Sequence, residues 1–284
     1  MKPVRDASGV VVELAAPPRR IVSLIPSVTE ILFALGVGDA VAGCTIFCTE
    51  PPDGVASKSR VGGEKDPKLD LIRALGADLV IANVEENVRE HVEALRAWGI
   101  PVYVCYPRTV ADGIALVAEL GALTGAQDAG RRLADDLARR LDGVRATMRE
   151  RPRARVFCPI WRHPYMTINR DTYIDDMLSV CGGDNVFAGL PRRYPEVTLE
   201  AIAAARPEVI LLPDEPYRFR PAHAKDFEAY PEMPAARDGR IHLVDGKLLS
   251  WYGPRIAAAL QVLPALLGAG GAAQRALSAE LSPR

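Results

Sequence analysis

The stretch FCPIWRHPYMTINRDTYIDDML, from Phe157 to Leu178, concentrates side chains that could act on a ligand. A strand-like run ends at Trp161, and arginine, histidine and tyrosine side chains then crowd together before an apolar segment resumes. Such side chains serve catalysis, coordination of a metal ion, or contact with a large flat ligand. Each alternative predicts a different set of residues elsewhere in the chain.

The catalytic alternative finds little support in the sequence. The chain contains no G-x-S-x-G nucleophile elbow, no Walker loop and no G-x-G-x-x-G after the first strand. The carboxylates of NVEEN (residues 83–87) and PDEP (213–216) lack a convergent histidine, so they are interpreted as a hydrogen-bonding rim or as solvated turns. We therefore expect no catalytic residues and no enzymatic activity.

A dedicated metal site is also disfavoured, because the four histidines are scattered. His91 falls in a predicted helix and His242 in a predicted strand, whereas a metal cage needs several imidazoles and a carboxylate in convergent loops. Cys44 and Cys48 are four positions apart but have no second pair to complete a zinc pattern. His163 is the loop histidine best placed to reach a ligand or the metal that a ligand carries.

The placement of the aromatic residues favours an extended, partly apolar ligand. In parallel α/β folds, ligands bind where loops leave the carboxyl ends of the strands. The competing interpretation is that some of these rings cap the core. The aromatic residues in such loops are Tyr106, Trp161, Tyr165, Tyr217, Trp251 and Tyr252, with Tyr173 and Tyr194 nearby.

The elements that position these loops occur twice along the chain. DLIRALGADLVIAN (Asp70–Asn83) aligns without gaps with EAIAAARPEVILLP (Glu200–Pro213). Each segment has a helical apolar pattern, a turn, an acid and a continuous apolar run, which predicts a short helix that leads into a buried parallel strand. Repetition on this scale predicts two similar α/β lobes rather than a solenoid.

The repeat extends upstream, where residues 19–43 and 154–189 both run strand, loop, helix and strand. Ser27 and Glu30 have the spacing of a capping box at the start of the first of these helices. The loop that holds Ser27 also counts among the ligand-facing loops.

The segment between the repeats predicts one long helix from about residue 127 to residue 149. It contains no proline, and apolar side chains recur at helical spacing. The predicted fold is therefore α/β: two Rossmann-like lobes with parallel sheets, joined by a single long helix, with the ligand cleft between them. The predicted divisions are an N-terminal lobe (1–108), a connecting helical segment (109–153) and a C-terminal lobe (154–284).

Composition excludes two classes of partner. The 284 residues are 49% hydrophobic and 25% charged, which is typical of a globular protein. The net charge of −1 indicates no basic surface for nucleic acid, and no apolar run reaches the roughly 18–20 residues of a membrane-spanning helix.

The N-terminus lacks a secretory pattern. Five cysteines without framework spacing leave at least one thiol outside any intrachain disulfide, and Cys105 and Cys158 are expected to be buried.

Asp70 and Glu200 occupy equivalent positions, each at the start of the repeated helix. Compensation of the helix dipole explains each acid alone. A symmetric pair would also offer docking points for a two-fold-symmetric partner that carries arginines.

Several segments of the sequence resemble those of a known family. PPRRIVSLIPSVTEILFALG, DPKLDLIRALGADLVIAN, the long helix and RRYPEVTLEAIAAARPEVILL are similar to segments of the helical-backbone (class III) substrate-binding proteins of bacterial ABC importers. The resemblance covers about Val4 to Leu267 and is closest to the cobalamin-binding branch. It implies a monomer outside the cytoplasm, in the periplasm or at the cell surface. Such a protein would have no cofactor of its own, hold cobalamin or a related metal complex as cargo, and deliver it to a two-fold permease dimer.

The resemblance also assigns roles to single residues. In the cobalamin branch an acid on each lobe docks arginine pockets of the permease, and the matching positions are Asp70, one methylene shorter than the usual glutamate, and Glu200. The aromatic positions that contact the corrin fall at Tyr194 and at Glu64, which is not aromatic.

The stretch from Trp161 to Tyr173 then becomes one wall of a ligand cleft. Trp161 and Tyr165 would present ring faces, and Arg162 or Arg170 would pair with acidic groups of the ligand. The complete set of expected ligand-binding residues is Ser27, Glu64, Tyr106, Trp161, Arg162, Tyr165, Arg170, Tyr194, Tyr217, Trp251 and Tyr252.

Two alternatives to a corrinoid-binding protein stay open. A protein of the same class would bind haem or a ferric siderophore instead. A protein of another class, a cytosolic enzyme or chaperone of tetrapyrrole or metal metabolism, is favoured by the missing signal sequence and the odd cysteine count. The similarity along the whole chain and the symmetric acids favour the binding protein.

Overall fold

The computed structural model describes residues 3–268, which form two compact units. Within the described range, the N-unit comprises residues 3–107, Ala111–Ala138 and Tyr252–Pro254, and the C-unit comprises Arg108–Val110, Arg139–Trp251 and residues 255–268. The strands are β1 Val4–Arg5, β2 Val11–Val12, β3 Ile21–Ser23, β4 Val41–Cys44, β5 Ser59–Arg60, β6 Leu79–Asn83, β7 Val102–Cys105, β8 Ala154–Phe157, β9 Tyr165–Met166, β10 Gly183–Asn185, β11 Glu196–Val197, β12 Val209–Pro213 and β13 Ile241–Val244. The α-helices are α1 Pro26–Ala34, α2 Pro52–Ala56, α3 Leu69–Ala74, α4 Arg89–Ala97, α5 Val110–Thr124, α6 Gln127–Arg149, α7 Tyr173–Val180, α8 Leu199–Ala204, α9 Lys225–Glu228, α10 Pro234–Arg237, α11 Lys247–Ser250 and α12 Arg255–Leu267.

The N-unit is built on a five-stranded parallel sheet with the strand order β5-β4-β3-β6-β7. Every residue of β3 and β6 is buried, as expected for parallel strands that are covered on both faces. A short antiparallel hairpin, β1–β2, lies beside β7, where the Ala7 amide donates to the Val104 carbonyl at 2.8 Å.

The C-unit repeats this arrangement with a four-stranded parallel sheet, β10-β8-β12-β13. Its order corresponds strand by strand to β4-β3-β6-β7 of the N-unit. A separate antiparallel pair, β9 and β11, lies outside this sheet. The core contains Phe157 and Phe227, whose rings pack edge to face with centroids 5.9 Å apart.

The internal repeat is confirmed at the level of backbone and side chains. Helix α3 leads into β6 and α8 into β12, and the turn between them contains a left-handed residue in both units: Gly76 at φ +62° and Arg206 at φ +48°. The acid before each strand accepts backbone hydrogen bonds. Asp78 accepts from the amide of Arg20 at 2.9 Å, and Glu208 accepts from the amide of Arg155 at 2.9 Å. The same interactions therefore tie the start of the central strand to its neighbour in each unit.

Helix α1 begins two residues earlier than its sequence pattern predicts, at Pro26 rather than Val28. Its first residue is Pro26, which suits that position because the missing N–H would have no partner in the helix. Ser27 lies inside the helix and is buried, so the capping box expected at Ser27 and Glu30 is wrong. The equivalent helix in the C-unit, α7, does have a side-chain cap, since the hydroxyl of Thr172 accepts from the Asp175 amide at 3.2 Å.

The long helix predicted between the repeats is confirmed as α6. The division between the two units falls within it, after Ala138. The connecting segment predicted over residues 109–153 also contains α5, and these two helices approach each other closely at Gly121 and Gly130.

Candidate ligand-binding site

The loop that follows β8 carries the aromatic and basic side chains singled out from the sequence. It folds back on itself, because the Ile160 amide donates to the Met166 carbonyl at 2.8 Å and the Met166 amide donates to the Trp161 carbonyl at 3.1 Å. Strand β9 then pairs with β11. The Trp161 side chain stays 45% exposed on this hairpin-like loop.

Other aromatic residues pack against the Trp161 ring and fix its orientation. The ring packs edge to face against Tyr217, with centroids 5.4 Å apart, and Tyr217 packs in the same way on the buried Phe219 at 4.9 Å. A large exposed ring with a fixed orientation is suited to contact the face of a flat ligand.

The expectation that Tyr165 also presents a free face is corrected by the structure. Tyr165 is only 7% exposed, and its ring lies in the core of the C-unit against Phe219 and Phe227. Its hydroxyl donates to the Asp226 carboxylate at 2.5 Å. Because that carboxylate is distant in sequence, the local pattern could not show that the ring turns inward.

Arg162 is already paired with a carboxylate. Its Nε and Nη2 atoms both lie 2.8 Å from Oδ2 of Asp226. Partial burial acts to raise the pKa of Asp226, but hydrogen bonds from Tyr165 and Arg162 outweigh it and hold that pKa below its usual range. An acidic ligand would therefore compete with Asp226 for Arg162. Arg170 differs, since it donates to the carbonyl of Ala188 and its side chain stays exposed.

His163 lies exposed at the turn of this loop, in the left-handed region with φ +66°. Its Nε2 atom is 2.6 Å from Nη1 of Arg162. A guanidinium group only donates, so this contact is a hydrogen bond only when Nε2 of His163 accepts. The role of His163 as an axial contact for a ligand metal stays a prediction.

Trp251 is buried, with 6% of its surface exposed, so it does not present a free face either. Its indole N–H donates to Oε1 of Glu215 at 2.6 Å, and the Ser250 hydroxyl donates to the same oxygen at 3.2 Å. The ammonium of Lys247 and the guanidinium of Arg255 lie 5.6 and 5.8 Å from the ring centroid. Partial burial raises the pKa of Glu215.

Tyr194 is exposed, as a ligand-contacting aromatic should be. The Arg193 guanidinium lies 5.7 Å from its ring centroid. The adjoining backbone runs beside the loop of Trp161, since the Thr167 amide donates to the Pro195 carbonyl at 3.0 Å. Asp171 accepts from Arg193 at 2.9 Å and from Arg108 at 3.0 Å, so these arginines also have a carboxylate partner.

In the N-unit, three predicted residues follow the carboxyl ends of parallel strands. Ser27 follows β3 and is buried, whereas Glu64 and Tyr106, after β5 and β7, are half-buried. The carbonyl of Glu64 accepts from the Asn87 side chain at 2.9 Å, which anchors that loop. Tyr252 is buried in the same unit.

Sequence reasoning missed Ile46 and Phe47 in the loop after β4. Both are large apolar side chains, 57% and 53% exposed. The Phe47 ring lies close to Gly63, because a Cβ on that glycine would be 3.5 Å from Cε2 of Phe47. The available signal was an aromatic residue directly after a strand-like run, which is the rule that selected the other rings.

Two further concave regions lie apart from these residues. A cavity of about 490 Å³ in the N-unit lies between the β1–β2 turn and α4, and a groove of about 590 Å³ in the C-unit lies between α6 and α12. Across residues 3–268, no group of three or more His, Cys, Asp or Glu side chains is arranged to hold a metal ion. In that same range, no helix combines the length and apolar character needed to cross a membrane.

Comparison with known sequences identifies the family. Residues 21–248 match the family described as periplasmic binding protein. The chain belongs to this family. This periplasmic binding protein is 27% identical to the vitamin B12-binding protein of Vibrio parahaemolyticus over 244 residues, which cover 84% of this chain and 86% of the relative.

Solved structures agree with this assignment. The periplasmic vitamin B12-binding protein BtuF of Vibrio cholerae has a TM-score of 0.79 and 25% identity, over 88% of this chain and 97% of BtuF. The periplasmic haem-binding protein RhuT from Roseiflexus has a TM-score of 0.75 and 25% identity, over 88% of this chain and 98% of RhuT. The predicted fold class, α/β with two parallel-sheet units joined by a long helix, is confirmed. The family is one of binding proteins, which favours that hypothesis over the enzyme or chaperone.

The two acids of this periplasmic binding protein lie at the same place in each unit. Asp70 is the second residue of α3 and Glu200 the second residue of α8, and both are exposed. Hydrogen bonds from its own backbone amide, from Thr198 and from Tyr230 lower the pKa of Glu200. Their role in docking stays a prediction.

Proposed function

We propose that this chain captures a corrinoid outside the cytoplasm and delivers it to an ABC importer. The observation that carries the proposal is that a curated relative and a solved structure, each similar over more than four-fifths of the chain, are both vitamin B12-binding proteins. The corrinoid is cargo in this proposal and not a resident cofactor. The protein would act as a monomer.

The side chains of the C-unit suit such a cargo. Trp161 offers an exposed face backed by Tyr217, and Tyr194 offers a second exposed ring. A corrinoid has a broad apolar surface surrounded by neutral amides, so it needs ring contacts and hydrogen-bond donors more than it needs free positive charge.

The pairing of the arginines favours a corrinoid over a strongly acidic cargo. Arg162 is paired with Asp226, and Arg108 and Arg193 share Asp171. A haem or a catecholate chelate would have to compete with these carboxylates, whereas an amide can accept a hydrogen bond beside them. Haem is kept as the second candidate, because RhuT is similar over almost its full length.

Calorimetric titration of the purified chain with cyanocobalamin tests the proposal, with haem and a ferric siderophore as parallel titrants. We expect tight one-to-one binding of cyanocobalamin and weak or absent heat with the other two. Binding of haem alone would change the cargo and leave the class intact. Absence of binding heat with all three titrants would overturn the importer proposal.

Delivery would involve the exposed acids. We propose that Asp70 and Glu200, one in each unit, pair with arginines of a permease dimer. The two acids occupy equivalent positions and are exposed. A carboxylate forms strong, charge-assisted hydrogen bonds with arginine, so both acids are suited to arginine pockets.

A further inference from the structure

Cys44 and Cys48 in the N-unit lie in contact with each other. Cys44 ends β4, and the Cys48 amide donates to the Thr45 carbonyl at 3.2 Å, which closes a tight turn and brings Cys48 back towards Cys44. Both side chains are fully buried, and they belong to one cluster together with Val55. All five cysteines are free and buried, but Cys105 and Cys181 contact an asparagine and a methionine rather than another thiol.

The surroundings of the two sulfur atoms differ. The Cys48 sulfur lies 3.1 Å from the Thr29 hydroxyl and 3.2 Å from the Thr45 hydroxyl. The Cys44 sulfur accepts from Nη1 of Arg60 at 3.2 Å, and the same nitrogen donates to the carbonyls of Thr45 and Cys48 at 3.0 and 2.7 Å. Arg60 thus links both ends of the turn beside the thiol pair.

These contacts separate the acidities of the two thiols. The contact with Cys44 and those with the two threonine hydroxyls lower the pKa of Cys48, and burial opposes them. The contact with Cys48, together with burial, raises the pKa of Cys44. These acidities belong to the folded unit; thiol–disulfide exchange itself requires only a thiolate fraction at one cysteine and a second cysteine within reach.

We propose that Cys44 and Cys48 are a redox pair that closes to an intrachain disulfide and tethers the loop that carries Ile46 and Phe47. The inference goes beyond the proposed cargo and does not depend on which ligand binds. Because both sulfurs are fully buried in the folded unit, closure takes place while the loop is still open, during folding.

The oxidant is a disulfide, either glutathione disulfide or an oxidoreductase of the extracytoplasmic compartment. The Cys48 thiolate attacks one sulfur of that disulfide, which forms a mixed disulfide and expels the first thiolate. Cys44 gives its proton to the expelled thiolate and attacks the Cys48 sulfur, which releases the second thiolate. Two electrons pass to the oxidant, which leaves as two thiols, one protonated by Cys44 and the other by solvent, and the new bond joins Cys44 to Cys48.

The test is to refold the full chain in buffers of defined glutathione redox ratio. Samples are quenched with acid, their free thiols are alkylated in denaturant, and their peptides are mapped by mass spectrometry. In the oxidising buffer we expect loss of alkylation at both Cys44 and Cys48, with a linked peptide lighter by two hydrogen atoms. Cys105, Cys158 and Cys181 should remain alkylated.

Two single variants make the result specific to this pair. In Cys48→Ser we expect Cys44 to be alkylated in every buffer, whereas the matched variant Cys181→Ser should still form the Cys44–Cys48 link. Equal alkylation of all five cysteines in the oxidising buffer would overturn the proposal, and so would protection of Cys44 that persists in Cys48→Ser. The mapping of the wild-type chain decides the question even if a variant fails to fold.

The thermal unfolding midpoint gives a second measure. The oxidised wild-type chain should unfold at a higher temperature than the chain reduced with a phosphine, because the tether restricts the unfolded loop. The double variant Cys44→Ala/Cys48→Ala should show no difference between the two conditions. A difference of equal size in the double variant would contradict the assignment to this pair.

Discussion

The aromatic residues of the C-unit divide into two groups that look alike in the sequence. Trp161 and Tyr194 are exposed, whereas Tyr165 and Trp251 are buried and donate hydrogen bonds to Asp226 and Glu215. Buried Tyr and Trp rings need a partner for their polar atom, and here a carboxylate supplies it. The ligand contacts expected from ring faces therefore centre on Trp161.

Trp161→Ala should weaken binding of cyanocobalamin by more than about 1 kcal/mol, because it removes an exposed and oriented ring. The free energy of unfolding should change little, since the side chain is 45% exposed. Calorimetric titration and urea unfolding measure the two quantities.

Two other tryptophans provide controls. Trp98 is a similarly exposed ring beside Arg73 in the N-unit, so Trp98→Ala should leave affinity unchanged. Trp251→Ala should instead lower the free energy of unfolding by about 3–5 kcal/mol, as for a buried ring. Wild-type affinity in Trp161→Ala would remove that residue from the site.

Glu215 should make stability depend on pH. Partial burial raises its pKa in the folded state, although hydrogen bonds from Trp251 and Ser250 oppose the shift. Above the ordinary pKa of a glutamate the folded state therefore holds more protons than the unfolded state, so the contribution of Glu215 to the unfolding free energy falls as pH rises through this window. Urea unfolding of the wild type and of Glu215→Gln, from about pH 4 to pH 7, measures the contribution.

The glutamine variant should lose this decline, because its amide oxygen can accept both hydrogen bonds without titrating. Glu13→Gln, at an exposed position, controls for the loss of one negative charge. Parallel pH curves for the wild type and Glu215→Gln would show that the carboxylate is not the cause.

At the scale of elements, the glycines of α6 have opposite roles. Gly143 is exposed, and among the described residues no heavy atom lies within 4 Å of the Cβ that alanine would add. Gly130 is buried against α5, and its added Cβ would lie 3.0 Å from the Cα of Gly121 and from the Val117 carbonyl. One glycine is tolerated in the helix, and the other is required for the helices to approach.

Gly143→Ala should raise the free energy of unfolding by about 0.5–1 kcal/mol, because alanine loses less conformational entropy in a helix. Gly130→Ala should lower it by about 1–3 kcal/mol through overpacking against α5. Urea unfolding followed by circular dichroism measures both changes. Changes of the same sign would contradict the close packing of α5 and α6.

The two copies of the repeat use different residues at the left-handed position of one turn. The turn before β6 uses a glycine for its left-handed residue, whereas the equivalent turn before β12 holds Arg206 in that conformation. A non-glycine residue there costs about 1 kcal/mol or more. The carbonyls of Ala205 and Arg206 accept hydrogen bonds from the Arg155 side chain, which helps to hold the turn.

At the scale of the whole molecule, the repeat places one exposed acid on each unit. The double variant Asp70→Ala/Glu200→Ala should weaken binding to the cognate permease by at least about tenfold, because a hydrogen bond to a charged group contributes about 1.5–3 kcal/mol. Affinity for cyanocobalamin should stay at the wild-type value. Binding of the loaded protein to permease in nanodiscs measures the first effect.

Glu90→Ala is the matched control, since Glu90 is an exposed acid in the first turn of α4. It removes a similar helix-terminal charge without a counterpart in the repeat. If Glu90→Ala weakened permease binding as much as the double variant does, the effect of Asp70 and Glu200 would be one of general charge and not of docking.

Local patterns along the chain were sufficient to predict the two sheets, the long helix α6 and the equivalent acids. Each depends on the period of apolar residues or on position within a repeat, and these are properties of neighbouring residues. Long-range packing decided the rest. It turned Tyr165 inward to Asp226, paired Trp251 with Glu215 and left Phe47 exposed. Burial and hydrogen-bond partners arise from residues distant in sequence, so a side chain's type reveals what it can bind but not whether it is free to do so.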